Sequence, residues 1–151
     1  MMKKLIIEGD SLSELKVLGI SSSERRDYVL ASLLNKSLDL GLVKQEDFCF
    51  HDGEEMRSFS FYCSTEESPY LRIALLAAKD KITPLLKKAA QMDFFLLYEK
   101  RMPNYMLNDL MDKTKKIPQI LYFNKMPKEI EHAFQEILVD LEMHIININK
   151  K

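Results

Sequence analysis

Five consecutive large apolar residues, Phe94-Phe95-Leu96-Leu97-Tyr98, limit what this chain can fold into more than any other feature. Side chains alternate across a strand, so a run that is apolar at every position is buried on both faces, as in the middle of a sheet. Such a strand needs neighbours, and the chain offers them. Residues 3–7 and 15–20 are short apolar runs on either side of Gly9-Asp10-Ser11, the pattern of a hairpin. Phe48-Cys49-Phe50-His51 and Ser58-Phe59-Ser60-Phe61-Tyr62-Cys63 alternate with period two around Asp52-Gly53-Glu54-Glu55, which predicts a second, antiparallel hairpin. With those four residues as the loop, His51 pairs with Met56 and Phe48 with Phe59, and Phe48, Phe50, Phe59 and Phe61 share one face. Residues 70–78 read as a further strand, as does Ile120-Leu121-Tyr122-Phe123 after Pro118.

Between these runs the spacing changes to that of helices. Ser21 followed by Glu24 offers a capping box, Leu30, Leu33, Leu34 and Leu38 form a core-facing stripe, and Gly41 supplies a left-handed stop. Residues 84–91 suggest one or two helical turns. Pro103 suits the first position of a helix reaching about residue 115, with Met106, Leu107, Leu110, Met111 and Thr114 inward. After Pro127, Ile130, Ala133, Phe134, Ile137, Leu138 and Leu141 make an unbroken apolar stripe that needs a sheet to pack on. Beyond it, Ile146 and Ile148 alternate with Asn147 and Asn149 as in a short strand. The expectation is an α+β fold over residues 1–151, one domain, with about three helices packed on a mostly antiparallel sheet of about six or seven strands.

Composition narrows the function classes. At 46% hydrophobic and 30% charged residues the chain has the makings of a core, unlike chains that stay disordered. A formal net charge of −1 gives no overall field toward nucleic acid or anionic lipid, so any such binding needs a local patch. The first residues carry the charge of a secretory leader, but the apolar run stops at Ile7 without a small-residue cleavage site, and no stretch has the ~20 apolar residues of a membrane span. Two cysteines without CxxC spacing fit a reducing, cytoplasmic location.

Leu18-Gly19-Ile20-Ser21-Ser22 followed by Asp27-Tyr28-Val29-Leu30-Ala31-Ser32-Leu33-Leu34-Asn35-Lys36 resembles the uncharacterised bacterial family called IPExxxVDY. The resemblance continues through Thr83-Pro84-Leu85 to Asp93-Phe94-Phe95-Leu96, although Leu85 stands where the family has Glu and Phe94 where it has Tyr. It covers roughly residues 3 to 100 and implies an α+β domain whose motifs are structural more than chemical.

No catalytic constellation is visible. The glycines Gly9, Gly19, Gly41 and Gly53 are too scattered to cradle a phosphate. Cys49, His51 and Cys63 are the one metal-like cluster, but the hairpin register sends Cys63 to the opposite face, so the cysteines are expected to act as small apolar fillers, with no metal and no cofactor. His132 falls on the polar side of the last helix and His144 near its C-terminus, positions of solvated or capping histidines. Ser21, Ser22 and Ser23 are explained by capping, and neither Asp27 nor Asp93 shows a partner.

These absences point to a non-catalytic protein-interaction or accessory domain, able to form homo-oligomers, whose candidate partner-binding residues are Tyr105, Asp109 and Asp112 on the outer side of the Pro103 helix. The alternative is an RNA-associated protein using Lys87, Lys88, Lys113, Lys115 and Lys116, with Lys100-Arg101 as a further basic group, should their elements converge. A third is an enzyme whose site assembles from distant residues.

Overall fold

The two periodicities do separate into strands and helices in the computed structural model, which describes residues 13–65, 68–81 and 83–149. In chain order these are β1 (Leu15–Ser22), α1 (Asp27–Leu38), β2 (Val43–Lys44), β3 (Phe48–Asp52), β4 (Glu55–Phe59), β5 (Phe61–Cys63) and β6 (Ile73–Ala77). There follow β7 (Lys79–Asp80), β8 (Thr83–Pro84), a 3₁₀ turn at Lys87–Ala89, β9 (Phe94–Glu99), α2 (Asn104–Lys115), β10 (Ile120–Lys125), α3 (Lys128–Ala133) and α4 (Gln135–Asn149). Six strands form one antiparallel sheet in the order β10-β1-β9-β6-β5-β2, and β3–β4 and β7–β8 are separate two-stranded ribbons. The fold is therefore α+β with a mostly antiparallel sheet, α1, α2 and α4 being its long helices.

The doubly apolar run is β9, bonded to β1 on one side and β6 on the other. Each of its faces carries a core. On one face Val17, Leu76, Phe95 and Leu97 meet Phe134, Ile137, Leu138 and Leu141 of the C-terminal helices and the hairpin residues Phe48 and Phe59. On the other, Leu18, Ile20, Leu75 and Leu96 meet Leu30 and Leu34 of α1 and Leu107 and Leu110 of α2. Burying each such side chain contributes about 1.5–3 kcal/mol, so both helical layers hold the sheet. At Gly19 in β1 a Cβ would lie 2.4 Å from the sulfur of Met126 and 2.6 Å from that of Met92, so a larger residue there would displace these two flexible side-chain ends.

The β3–β4 hairpin has the predicted register, Phe48 opposite Phe59 and His51 opposite Met56. Its turn is tighter than the expected loop, because Asp52 pairs with Glu55 and Gly53 takes a φ of 69°. After Phe59 the chain leaves the ribbon at Ser60, and Phe61 and Cys63 join the main sheet through β6.

Residues 3–7, the proposed first hairpin strand, lie outside the described residues. Several other expectations are corrected. The Ser21–Glu24 box does not form: both serines at 21 and 22 belong to β1, and Glu24 instead accepts the Arg26 N–H at 2.9 Å ahead of the helix. Helix α1 stops at Asp39 rather than Gly41, since Asp39 itself takes the left-handed conformation and donates its N–H to the Asn35 carbonyl. The last helix is broken at Phe134, whose N–H is shared between the carbonyls of Ile130 and Glu131; the tightened turn points Phe134 into the core and leaves Ala133 exposed. Residues 145–149 continue α4 and are not a strand, because Ile145 is buried and Ile148 packs against the same core.

Candidate partner-binding site

Tyr105 stands where its helical phase puts it, on the outer side of α2 and 73% exposed. Asp112 is exposed beside it, but Asp109 is engaged. Its carboxylate accepts the Tyr70 hydroxyl and pairs with Lys113 at 3.3 Å, and the Tyr70 hydrogen bond, with Lys113 behind it, holds the Asp109 carboxyl below its usual range. The acidic character expected around Tyr105 is thus largely spent within the fold.

The predicted lysine groups are not brought together. Lys87 and Lys88 ride on the 3₁₀ turn, whose Ala89 packs into the α4 side of the sheet. Lys113, Lys115 and Lys116 end α2, which packs with Leu107, Leu110 and Ile117 on the opposite side. Lys113 is also held over the Tyr70 ring, 5.9 Å from its centroid.

In two of the clefts the polar groups are committed to the fold. One, of about 540 Å³, is floored by Arg57, 6% exposed, which donates to Asp80 at 3.1 Å and to the Thr83 and Pro84 carbonyls at 2.7 and 3.2 Å. That arginine ties β4 to the β7–β8 ribbon. The other, of about 280 Å³, is lined by Asp93 and Arg25. Asp93 accepts the Ser22 N–H at 2.9 Å and pairs with Arg25 at 3.5 Å and Lys79 at 3.7 Å, so it clamps the β1–α1 junction to the start of β9. These are the partners the sequence did not reveal for Asp93, and they explain it without chemistry.

A smaller cleft of about 200 Å³ is different, because its cations are unspent. It is lined by Lys16 of β1, Tyr98 of β9, Lys100 just after β9, Asn104 of α2, Lys125 of β10 and Glu131 of α3. Register explains the convergence. Lys16 is directly opposite Tyr98, and Lys125 opposite Leu18, so all three side chains leave the sheet on the α2 side, at the end where α2 begins. Among the described residues none of the three lysines has an ion-pair partner, whereas Arg101, the neighbour of Lys100, pairs with Glu99 at 2.8 Å. Sequence reasoning singled out Lys100 but missed Lys16 and Lys125. The available signal was phase: Lys16 stands in step with the inward Leu18 and Ile20, and Lys125 with Phe123.

The metal-like cluster is dispersed. Cys49 is exposed, with its sulfur 3.7 Å from the Ser58 hydroxyl, and is no apolar filler; Cys63 is buried, and burial pushes its thiol up to about 11. Among the described residues no group of three or more His, Cys, Asp or Glu is arranged to hold a metal ion, and no helix is long and apolar enough to cross a membrane. His132 is exposed as its phase requires. His144 is not a free helix-end histidine: its Nε2–H donates to the Glu46 carbonyl at 2.9 Å, and its ring meets Phe61 edge-on at 5.0 Å, joining α4 to β5 and to the segment before β3. No protein-family model, curated protein or solved structure matches the chain.

Proposed function

We propose that this chain is a non-catalytic interaction domain whose docking surface is the N-terminal end of α2, and that its partner presents an acidic segment. The observation that carries this reading is the convergence of Lys16, Lys100 and Lys125 on one cleft whose lining holds a single acidic residue, Glu131, and in which no lysine has an ion-pair partner among the described residues. Three lysines against one glutamate leave a local excess of positive charge on a chain whose net charge is −1, which selects acidic partners locally where the whole molecule selects nothing. Tyr105, in the same first turn of α2, adds a large and rigid contact area at low rotamer cost.

Affinity capture from the native cell tests it with three baits: wild type, the double variant Lys100→Gln/Lys125→Gln, and Tyr105→Ala. Both variants change exposed residues and should keep stability within about 0.5 kcal/mol of wild type. Acidic proteins recovered with wild type should be lost with the double variant and reduced with Tyr105→Ala. Identical recovery with all three baits would remove this end of α2 from the interaction.

A further inference from the structure

The chemistry of the cleft selects among acidic groups. Its donors outnumber what a carboxylate accepts: three ammonium groups, the Tyr98 hydroxyl, and the backbone N–H groups that open α2. The first turn of this 12-residue helix contains no acidic residue and its N-cap, Pro103, makes no side-chain hydrogen bond, so the positive end of the helix dipole is uncompensated by side chains there. Tyr98 adds a neutral donor beside the lysines. Its ring is buried, and its hydroxyl, which reaches solvent in the cleft, has no hydrogen-bond partner among the described residues. Burial, reinforced by the negative charge of Glu131, raises its pKa, so the hydroxyl keeps its proton and serves as a donor.

We infer that the cleft formed by Lys16, Tyr98, Lys100, Lys125 and the first turn of α2 binds a phosphomonoester group carried on a side chain of the acidic partner. A tetrahedral dianion presents three oxygens that only accept, matching donors that approach from the sheet, the β9–α2 connection and the helix end. The volume of about 200 Å³ is below the roughly 300–1,000 Å³ of sites that enclose whole drug-sized ligands. It suits a phosphoryl group whose carrier stays outside, beside Tyr105. Glu131, which also lines the cleft, opposes an anion, and the excess of three lysines over it leaves the balance attractive. The inference rests on the docking reading for the carrier, but not for the anion itself.

The test follows backbone amide shifts of the full chain during titration with inorganic phosphate and with the tripeptides Gly-phosphoSer-Gly, Gly-Asp-Gly and Gly-Ser-Gly, at constant ionic strength. Phosphate and the phosphopeptide should give saturable shifts confined to the surroundings of Lys16, Tyr98, Lys100, Asn104 and Lys125. Gly-Asp-Gly should bind at least about tenfold more weakly, as should the phosphopeptide to Lys100→Gln/Lys125→Gln, the loss expected for removing charge-assisted hydrogen bonds. Tyr98→Phe, which keeps the ring and removes only the donor, should weaken phosphopeptide binding several-fold, and Lys87→Gln/Lys88→Gln should leave it unchanged. Equal binding of the aspartyl and phosphoseryl peptides, or equal losses from the two lysine pairs, would overturn the inference. Saturable binding of free phosphate with no phosphopeptide binding would overturn the carrier and leave a free-phosphate site. If the phosphopeptide binds as expected while cell capture ignores the variants, the docking reading falls and the phosphoryl site stands.

Discussion

Replacing Phe134 by Ala tests whether the C-terminal helices are fastened to the sheet as described. The side chain is fully buried, and its ring lies edge-on to Phe95 of the central strand, 4.8 Å between centroids at 72°. Truncating a buried Phe costs about 3–5 kcal/mol, within which an aromatic pair of this geometry accounts for about 0.5–1.5 kcal/mol. Phe134 stands between α3 and α4, fully buried against the central strand, so a loss of about 4 kcal/mol, the middle of that range, is expected. With a urea dependence of about 2 kcal/mol per M, the midpoint should fall by roughly 2 M. Phe134→Leu, which keeps most of the volume, should cost under about 1.5 kcal/mol. Met143→Ala, on the same helix but 52% exposed, should stay within about 0.5 kcal/mol of wild type. A midpoint for Phe134→Ala no lower than that of Met143→Ala would refute the packing of α4 on β9.

Two further outcomes follow from the titratable groups. In native protein Cys49 should react with a thiol reagent at once, whereas Cys63, buried and with its thiol raised to about 11, should react only on the timescale of unfolding; equal rates would place both outside the core. Hydrogen bonds from Arg26 hold Glu24 down, from 4.5 to about 2, so its stabilising interaction is complete above the usual carboxylate range and is lost as pH falls through about 2. Carbon-detected NMR should find that midpoint, and Arg26→Gln, which removes the guanidinium but keeps the backbone N–H, should raise it part of the way toward the usual carboxylate range; a wild-type midpoint near 4 would show that the pair does not form in solution.

Local periodicity carried much of the fold. Alternation around Asp52-Gly53-Glu54-Glu55 was enough to obtain the register of the β3–β4 ribbon, because a one-residue slip would expose every phenylalanine in it. The phase of Tyr105 on α2 was legible for the same reason, since inward positions on a helix recur at fixed angles. Caps were read less well. Ser21 and Gly41 have the right chemistry for their roles, but Ser21 lies in β1, α1 opens after Arg26 without a side-chain cap, and Asp39 takes the left-handed position at its end; propensity alone does not say where a helix starts and stops.

From sequence alone, then, came the segments, their types and which side of each faces a core, because those depend on neighbours within a turn or a strand pair. The strand order and the site came only from the tertiary structure. β1 is flanked by β9 and β10, two of the last elements in the chain, and no local pattern encodes which distant strand pairs with it. Asp93 acquires Arg25 and Lys79 through that pairing, and the lysine groups that look alike in sequence are parted by the sheet. Lys16, Lys100 and Lys125 belong to three separate segments and converge because antiparallel register sets their side chains toward the start of α2. A charge cluster assembled across strands depends on long-range pairing, and long-range pairing is decided by the packing of both cores together.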